Sequence, residues 1–559
     1  MRTPRYWLRA LACGALLAGT ALSAPAAIDP TQAALPPAAS AAIDAGRLPG
    51  LRWPDFSDYT KWVAGFYDAR GGALAWSAAG RPTPQARAVI VQLEAADDRG
   101  LHAEDYDGGR WAARVAALEG GRATAQQVAD FDVALTVSAM RFISDLHIGR
   151  VNPEQLGFHL DVEHKKYDLS ALLEELVAAD DVAARLDAVE PQYEYYRALK
   201  SALVRTRGLA PKIAALQPLP VPVKSLEPGG TYDAMPRLAE LLVLTGDLPA
   251  EDQAAAAGTT YGAPMVAAVK RYQGRHGLAA DGVAGKGTFR ELNTPVAARL
   301  RQIELTLERW RWVAHEFGAP PIVVNIPAFQ LRAFARDGDR VIPELAMNVV
   351  VGKEYQGAQT PIFARQMKYL VFSPYWEVPP SIARNELLPK FAKDPGYAAR
   401  NHYVIEGAGG RLPIDADAIA AVRAGRARIR QTPGTHNALG LVKFMFPNEF
   451  NVYLHSTPSQ AAFAREERAL SHGCVRVEKP IELAEFVLKG DPAWTRETIE
   501  AAMNAGEPRT VNLKQPIWVF ILYGTAVADE AGVMHFYRDV YGHDARLDAA
   551  LKKGYPYPG

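Results

Sequence analysis

The spacing of apolar residues changes near residue 320, and that change decides what kind of molecule this chain can form. From about 51 to 216, apolar residues recur at threes and fours, as in Val128, Val133, Val137 and Met140 or Leu169, Leu172, Leu173 and Leu176, the spacing of one helix face. A further helical stretch carries Leu300, Ile303, Leu307 and Trp310 on one side. Beyond it the period shortens. The runs 322–326, 330–335, 345–352, 368–372, 441–446, 451–454 and 475–477 are short, apolar or alternating, and separated by Pro, Gly, Asp and Asn, which predicts strands. The expected fold class is therefore multidomain α+β. A helical scaffold domain spans 49–225, a small three-helix module 226–296, a linking helix 297–319 and a β-rich domain 320–545, with a tail at 546–559. Residues 382–434 break the strand rhythm with helical and polar sequence, including the basic run 423–430. They read as an insertion able to fold over a site as a lid, or as a solvated helix with a charged face.

The first residues predict export. Arg2, Arg5 and Arg9 precede an apolar stretch and the small-residue pattern Ala24-Pro25-Ala26, the layout of a secretory signal peptide over 1–26. No later segment offers about twenty consecutive apolar residues. Residues 27–48, rich in Ala and Pro, read as a flexible linker. The chain has 62 Lys and Arg against 62 Asp and Glu, so nothing in its charge points to nucleic acid. The aromatic cluster Trp53, Tyr59, Trp62, Phe66, Tyr67 and Trp76 reads as packed core in preference to a sugar-stacking surface.

Of two cysteines, Cys13 lies in the leader, which leaves Cys474. A secreted chain with one sulfur has no internal disulfide, so Cys474 is inert packing, an intermolecular bridge or a nucleophile. A thiol needs a base or a positive neighbour to become an attacking group. His455, at the end of an alternating strand, is the candidate base; the strand ends of two neighbours can bring residues 19 apart together. No acid adjoins His455, so Ser456 or a backbone carbonyl must hold its tautomer. Gly473 allows a tight turn that would aim the amides of Gly473 and Cys474 at an oxyanion. His472 is placed to donate to the same oxygen or shape the pocket, and Arg476 either clamps a substrate carboxylate or pairs with an acid such as Glu478. His455, His472 and Cys474 are also chemically acceptable zinc ligands, but a metal-bound thiolate would not serve as a nucleophile, and no metal or other cofactor is expected.

His455 followed by Ser471-His472-Gly473-Cys474-Val475-Arg476 resembles the signature of the L,D-transpeptidases. The stretches around Ser373-Pro374-Tyr375-Trp376 and from Asn437 to Asn448 resemble the large Gram-negative branch of that family. The segment beginning Val266-Ala267-Ala268-Val269-Lys270-Arg271-Tyr272-Gln273-Gly274 is similar to a three-helix peptidoglycan-binding module. The resemblance implies a sandwich-like catalytic fold, a periplasmic location, and 3-3 cross-linking of peptidoglycan. Cys474 would attack a tetrapeptide stem, release D-Ala, and pass the acyl group to an acceptor amine. It implies Cys474 as nucleophile, His455 as base, His472, Gly473 and Ser471 as oxyanion or pocket support, and Tyr375 and Trp376 along the donor groove. Ser456 departs from the Asp common in that branch, which leaves the orienting group open. The implied partners are donor and acceptor stems, with penicillin-binding proteins or glycan synthases as companions to a monomer. The competing readings are a cell-wall cysteine endopeptidase or carboxypeptidase and a non-catalytic wall-binding scaffold protein.

Overall fold

The computed structural model describes residues 34–555 except 257, 315–318, 339, 356 and 395. The expected leader and the start of the expected linker lie outside these residues. The remainder of the linker is not loose: Pro37–Asp44 is a helix whose Ala39 and Ile43 are buried against the scaffold core. Two apolar residues four apart make a face too short to register as a sustained period.

The scaffold is built around the helix Ala125–Ile148. Thr124 caps it reciprocally with Gln127, each side chain reaching the other's backbone amide. Asp132, buried in this helix, accepts from the amides of Ala75 and Trp76 and the hydroxyls of Tyr67 and Ser77. A buried carboxylate is tolerable only when so satisfied. The result pins Tyr67 and Trp76 into the core beside Phe66, as the packed-core reading of the aromatic cluster expects.

The second module buries its own core from the helices Met235–Leu244, Ala263–Arg275 and Lys286–Leu292. The linking helix, Val296–Arg311, packs Ile303 and Leu307 against Leu199 and Leu203 of the helix Glu194–Ala215. Its Glu308 is wholly buried, accepts from the Val151 amide and pairs with Arg150 and Arg311. Arg309 and Arg301 of the same helix pair with Asp544 and Asp548 at 2.6 and 2.7 Å. This one helix thus joins the scaffold to the β-rich half. Asp544 and Asp548 belong to the helix His543–Leu551, whose Leu547, Ala550 and Leu551 sit in the β-domain core. The expected tail is therefore corrected: the domain runs through this helix.

The β-rich half is a nine-stranded sheet. In chain order the strands are β1 (Ile322–Asn325), β2 (Gln330–Asp337), β3 (Arg340–Gly352), β4 (Phe363–Phe372), β5 (Val442–Met445), β6 (Leu454–His455), β7 (Ala469–Ser471), β8 (Val475–Val477) and β9 (Arg509–Leu522). Their order in space is β7-β3-β8-β6-β5-β4-β9-β1-β2, and β2 also pairs with β3. The sheet therefore closes on itself, because the 13-residue β3 gives its first part to β2 and its last part to β8. Closure removes most free edges and yields the layered core of Val324, Leu331, Val349, Leu370, Phe444, Leu454 and Val475.

β4 and β5 are antiparallel neighbours, with Phe372 opposite Val442. Everything between them, 373–441, rises from that edge as a subdomain. Its four-stranded sheet, made by Trp376–Glu377, Ala427–Gln431, Tyr403–Gly407 and Gly410–Leu412, covers Leu387, Leu388, Phe391 and Ile405. The insertion is thus wider than the expected 382–434. The basic run is no solvated helix either: Arg428 and Arg430 lie on a strand and pair with Glu377 and Glu406. Among the described residues no helix is long and apolar enough to cross a membrane.

Candidate active site

Alternation along β6 and β8 sends every second side chain away from the core. Leu454, Val475 and Val477 point inward and are fully buried. β6 and β8 run parallel, with Leu454 opposite Val475 and His455 opposite Arg476. The amide of Val475 donates to the Tyr453 carbonyl at 3.1 Å, extending the pairing to the start of β8. Tyr453, His455, Cys474 and Arg476 therefore share the face turned from the core. Lys443 of β5 lies opposite His455 on that same face. The pairing puts His455 and Cys474 on one face of neighbouring strands, with His455 opposite Arg476, two residues beyond Cys474.

His455 is 4% exposed, and its Nδ1 lies 2.6 Å from the carbonyl oxygen of Ser456. A carbonyl only accepts, so Nδ1 carries the proton and Nε2 keeps its lone pair. The orienting group left open by sequence is thus the backbone of Ser456, not its hydroxyl. Burial pushes the imidazole down to about 3; Arg476 and Lys443 act in the same sense, and the Ser456 and Leu439 carbonyls oppose them. His455 is consequently neutral near neutral pH.

The turn before Cys474 is held by Ser471. Its hydroxyl donates to the Cys474 carbonyl at 2.6 Å and accepts from the Gly473 amide at 3.2 Å. Gly473, with φ 115°, occupies a conformation that disfavours any side chain. The expectation that the Gly473 amide faces an oxyanion is corrected, since that N–H is committed to Ser471. The Gly473 carbonyl accepts from Thr360 Oγ1 at 2.7 Å. Thr360 Oγ1 in turn accepts from the Gly352 amide, and Tyr541 donates to the Gly352 carbonyl at 2.6 Å. Nothing local in the sequence marks this chain of contacts, because Thr360 and Gly473 lie 113 residues apart and Gly352 and Tyr541 lie 189 apart.

The Cys474 thiol is half-buried and donates to the Asn451 carbonyl at 3.7 Å. Burial pushes its pKa up; hydrogen bonds from Tyr453 and the charges of Arg476 and Lys443 oppose the rise. Cys474 is thus a neutral thiol and His455 a neutral imidazole, with the charges of Arg476 and Lys443 acting on both. Lys443 Nζ stands 5.7 Å from the Tyr453 ring, whose centre lies 5.8 Å from that of His455. Neither Lys443 nor Tyr453 was singled out by sequence; the alternation of β5 and β6 is the signal that could have found them. Arg476 has a buried Nε with no acceptor among the described residues, while Glu478 accepts from Asn348 instead.

The insertion reaches this site. Glu386, in the π-helical turn Ala383–Leu387, lies 2.8 Å from His472 Nε2. His472 faces the insertion and is partly exposed. Tyr375 lies under the Arg430 guanidinium at 4.1 Å, and Trp376 packs on Tyr403 within the insertion core. Of the two aromatics expected in a groove, Trp376 is thus a packing residue.

Three family models match the chain: a scaffold domain over residues 61–203, a peptidoglycan binding domain over 242–292 and an L,D-transpeptidase catalytic domain over 320–494. The last ends before β9. The chain is also similar to an L,D-transpeptidase of Haemophilus influenzae, 33% identical over 231 residues that make up 41% of this chain and 45% of that protein. The match thus spans less than half the length of that relative.

Proposed function

We propose that this chain, which carries an L,D-transpeptidase catalytic domain behind a scaffold domain and a peptidoglycan binding domain, joins peptidoglycan stem peptides through a thioester on Cys474. The observation that carries this reading is the shared face of β6 and β8, which bears both His455, with its proton on Nδ1, and Cys474.

In the first half-reaction Nε2 of His455 takes the thiol proton as sulfur attacks the carbonyl carbon of the third stem residue. The C–N bond to the terminal D-Ala breaks, and the leaving nitrogen takes the proton from the imidazolium. The Cys474 amide and the Tyr453 hydroxyl are the donors proposed for the oxyanion. Lys443 and Arg476 offset the developing thiolate charge and attract the stem's carboxylates; the free Nε–H of Arg476 supports that role. In the second half-reaction an acceptor amine attacks the thioester, the C–S bond breaks, and sulfur regains a proton through His455. The product is a 3-3 cross-link. Ser471 and Thr360 hold the nucleophile's turn, and the insertion serves as a lid that limits water. The binding domain keeps the enzyme on its polymer, at the cell wall in the periplasm, with donor and acceptor stems as its partners.

The test is to incubate the protein with purified tetrapeptide muropeptides and identify the products. Dimers linked between two third residues, with free D-Ala, support the proposal. Tripeptides alone indicate a peptidase, and unchanged substrate indicates a wall-binding protein.

A further inference from the structure

The sulfur is flanked by cations of the sheet and by acids of the insertion, and Glu377 among those acids acts on Lys443 and Tyr453. Lys443 and Arg476 stand with Cys474 on the sheet face, a setting suited to the carboxylates of a donor stem. From the insertion comes the carboxylate of Glu386, 2.8 Å from Nε2 of His472, two residues before the nucleophile. Glu377 and Glu406, the acids on the insertion sheet nearest this region, are each held by Arg428 and Arg430. Glu386 differs: it meets an imidazole, and its side chain stays 43% exposed. It also lies on a π-helical turn, a local irregularity that recurs at functional sites.

We infer that Glu386 is the acceptor-side specificity residue, the carboxylate that receives the ammonium group of the incoming diamino acid once the thioester has formed. The inference rests on the transpeptidase reading and adds to it how an amine is chosen over water. An acceptor amine arrives as a cation, whereas water is neutral. A carboxylate at the mouth of the site concentrates the cation and orients it by a charge-assisted hydrogen bond. The ammonium releases one proton to solvent, its nitrogen forms the new C–N bond as the C–S bond breaks, and the second proton returns to sulfur through His455. A hydroxyl or water nucleophile gains nothing from Glu386, so the side chain sets the partition between aminolysis and hydrolysis.

Glu386→Gln separates this role from that of a mere latch, because the side chain keeps its size and its place against His472 while the charge is gone. Full-length native protein, Glu386→Gln and Glu386→Asp are each mixed with tetrapeptide muropeptides, and D-Ala release, dimers and tripeptides are followed together. In Glu386→Gln the ratio of dimer to tripeptide should fall about tenfold, the size of one charge-assisted hydrogen bond, with the acceptor's KM raised while thioester still forms. Glu386→Asp should recover part of the ratio. An unchanged ratio in Glu386→Gln overturns the inference, as does a fall in D-Ala release that matches the loss of dimer, which marks a latch. Failure of the native protein to form thioester sinks the transpeptidase reading itself and is distinguishable at once.

Discussion

Gly440 is packed so tightly on Ser456 that a Cβ at residue 440 would lie 2.4 Å from the Ser456 hydroxyl. The same glycine has φ 59°, in the left-handed region, and its amide closes a turn onto the Asn437 carbonyl at 2.8 Å. The turn ending the insertion thereby presses on the residue whose carbonyl orients His455. Gly440→Ala should cost about 1–2 kcal/mol for the backbone alone, displace Ser456, and lower D-Ala release at least tenfold. Thermal unfolding and turnover on muropeptides check both effects, and Cys474 should remain open to alkylation.

Thr360 ties the Gly352 amide to the Gly473 carbonyl through one hydroxyl. Thr360→Val keeps the shape and removes both hydrogen bonds, leaving buried partners unsatisfied at a cost of about 1–3 kcal/mol. Turnover should fall more than acceptor KM changes, because the turn carrying the nucleophile loses its anchor. Steady-state kinetics against varied acceptor separates the two.

Acid should weaken the fold through His455. Its folded pKa, about 3, lies below the ordinary 6.5. Across that window the unfolded chain binds a proton that the folded chain refuses. The stability from burying neutral imidazole is therefore complete above 6.5 and is lost as pH falls, by up to about 1.4 kcal/mol per unit. His543, also pushed to about 3 by burial and Arg309, contributes in the same direction. Denaturant unfolding at pH 7, 5 and 4 should show the decline, and His455→Gln should show a shallower one.

A carbapenem should acylate Cys474, since sulfur attack on the β-lactam carbonyl breaks the strained ring's C–N bond and leaves the whole drug attached. Intact-protein mass spectrometry should find one adduct in the native protein and none in Cys474→Ala.

The period change near residue 320 made the division into helical and β-rich halves legible, and the one cysteine beyond the expected leader, with an upstream histidine, pointed to two residues that share a sheet face. Much else depended on contacts distant in sequence. β9 was not anticipated: Pro516 and the polar residues around it interrupt the run, and the register shifts between Asn512 and Ile517. The helix Pro37–Asp44 was hidden within an Ala- and Pro-rich stretch. Ser471 looked like pocket support, yet its hydroxyl occupies the Gly473 amide, a local hydrogen bond that residue type alone does not reveal. Lys443, Tyr453, Thr360 and Glu386 reach the site by strand register or by the insertion's path; only the alternation of β5 and β6 marked the first two, and nothing near Thr360 or Glu386 marked those.

Transpeptidation through Cys474 requires a covalent acyl group on that sulfur. Rapid-quench mass spectrometry of the intact protein mixed with a tetrapeptide muropeptide detects it. A transient mass increase equal to the substrate minus one D-Ala is expected, located on Cys474 and absent from Cys474→Ala and His455→Gln. Cross-links formed with no such species, or an adduct persisting in Cys474→Ala, would contradict it.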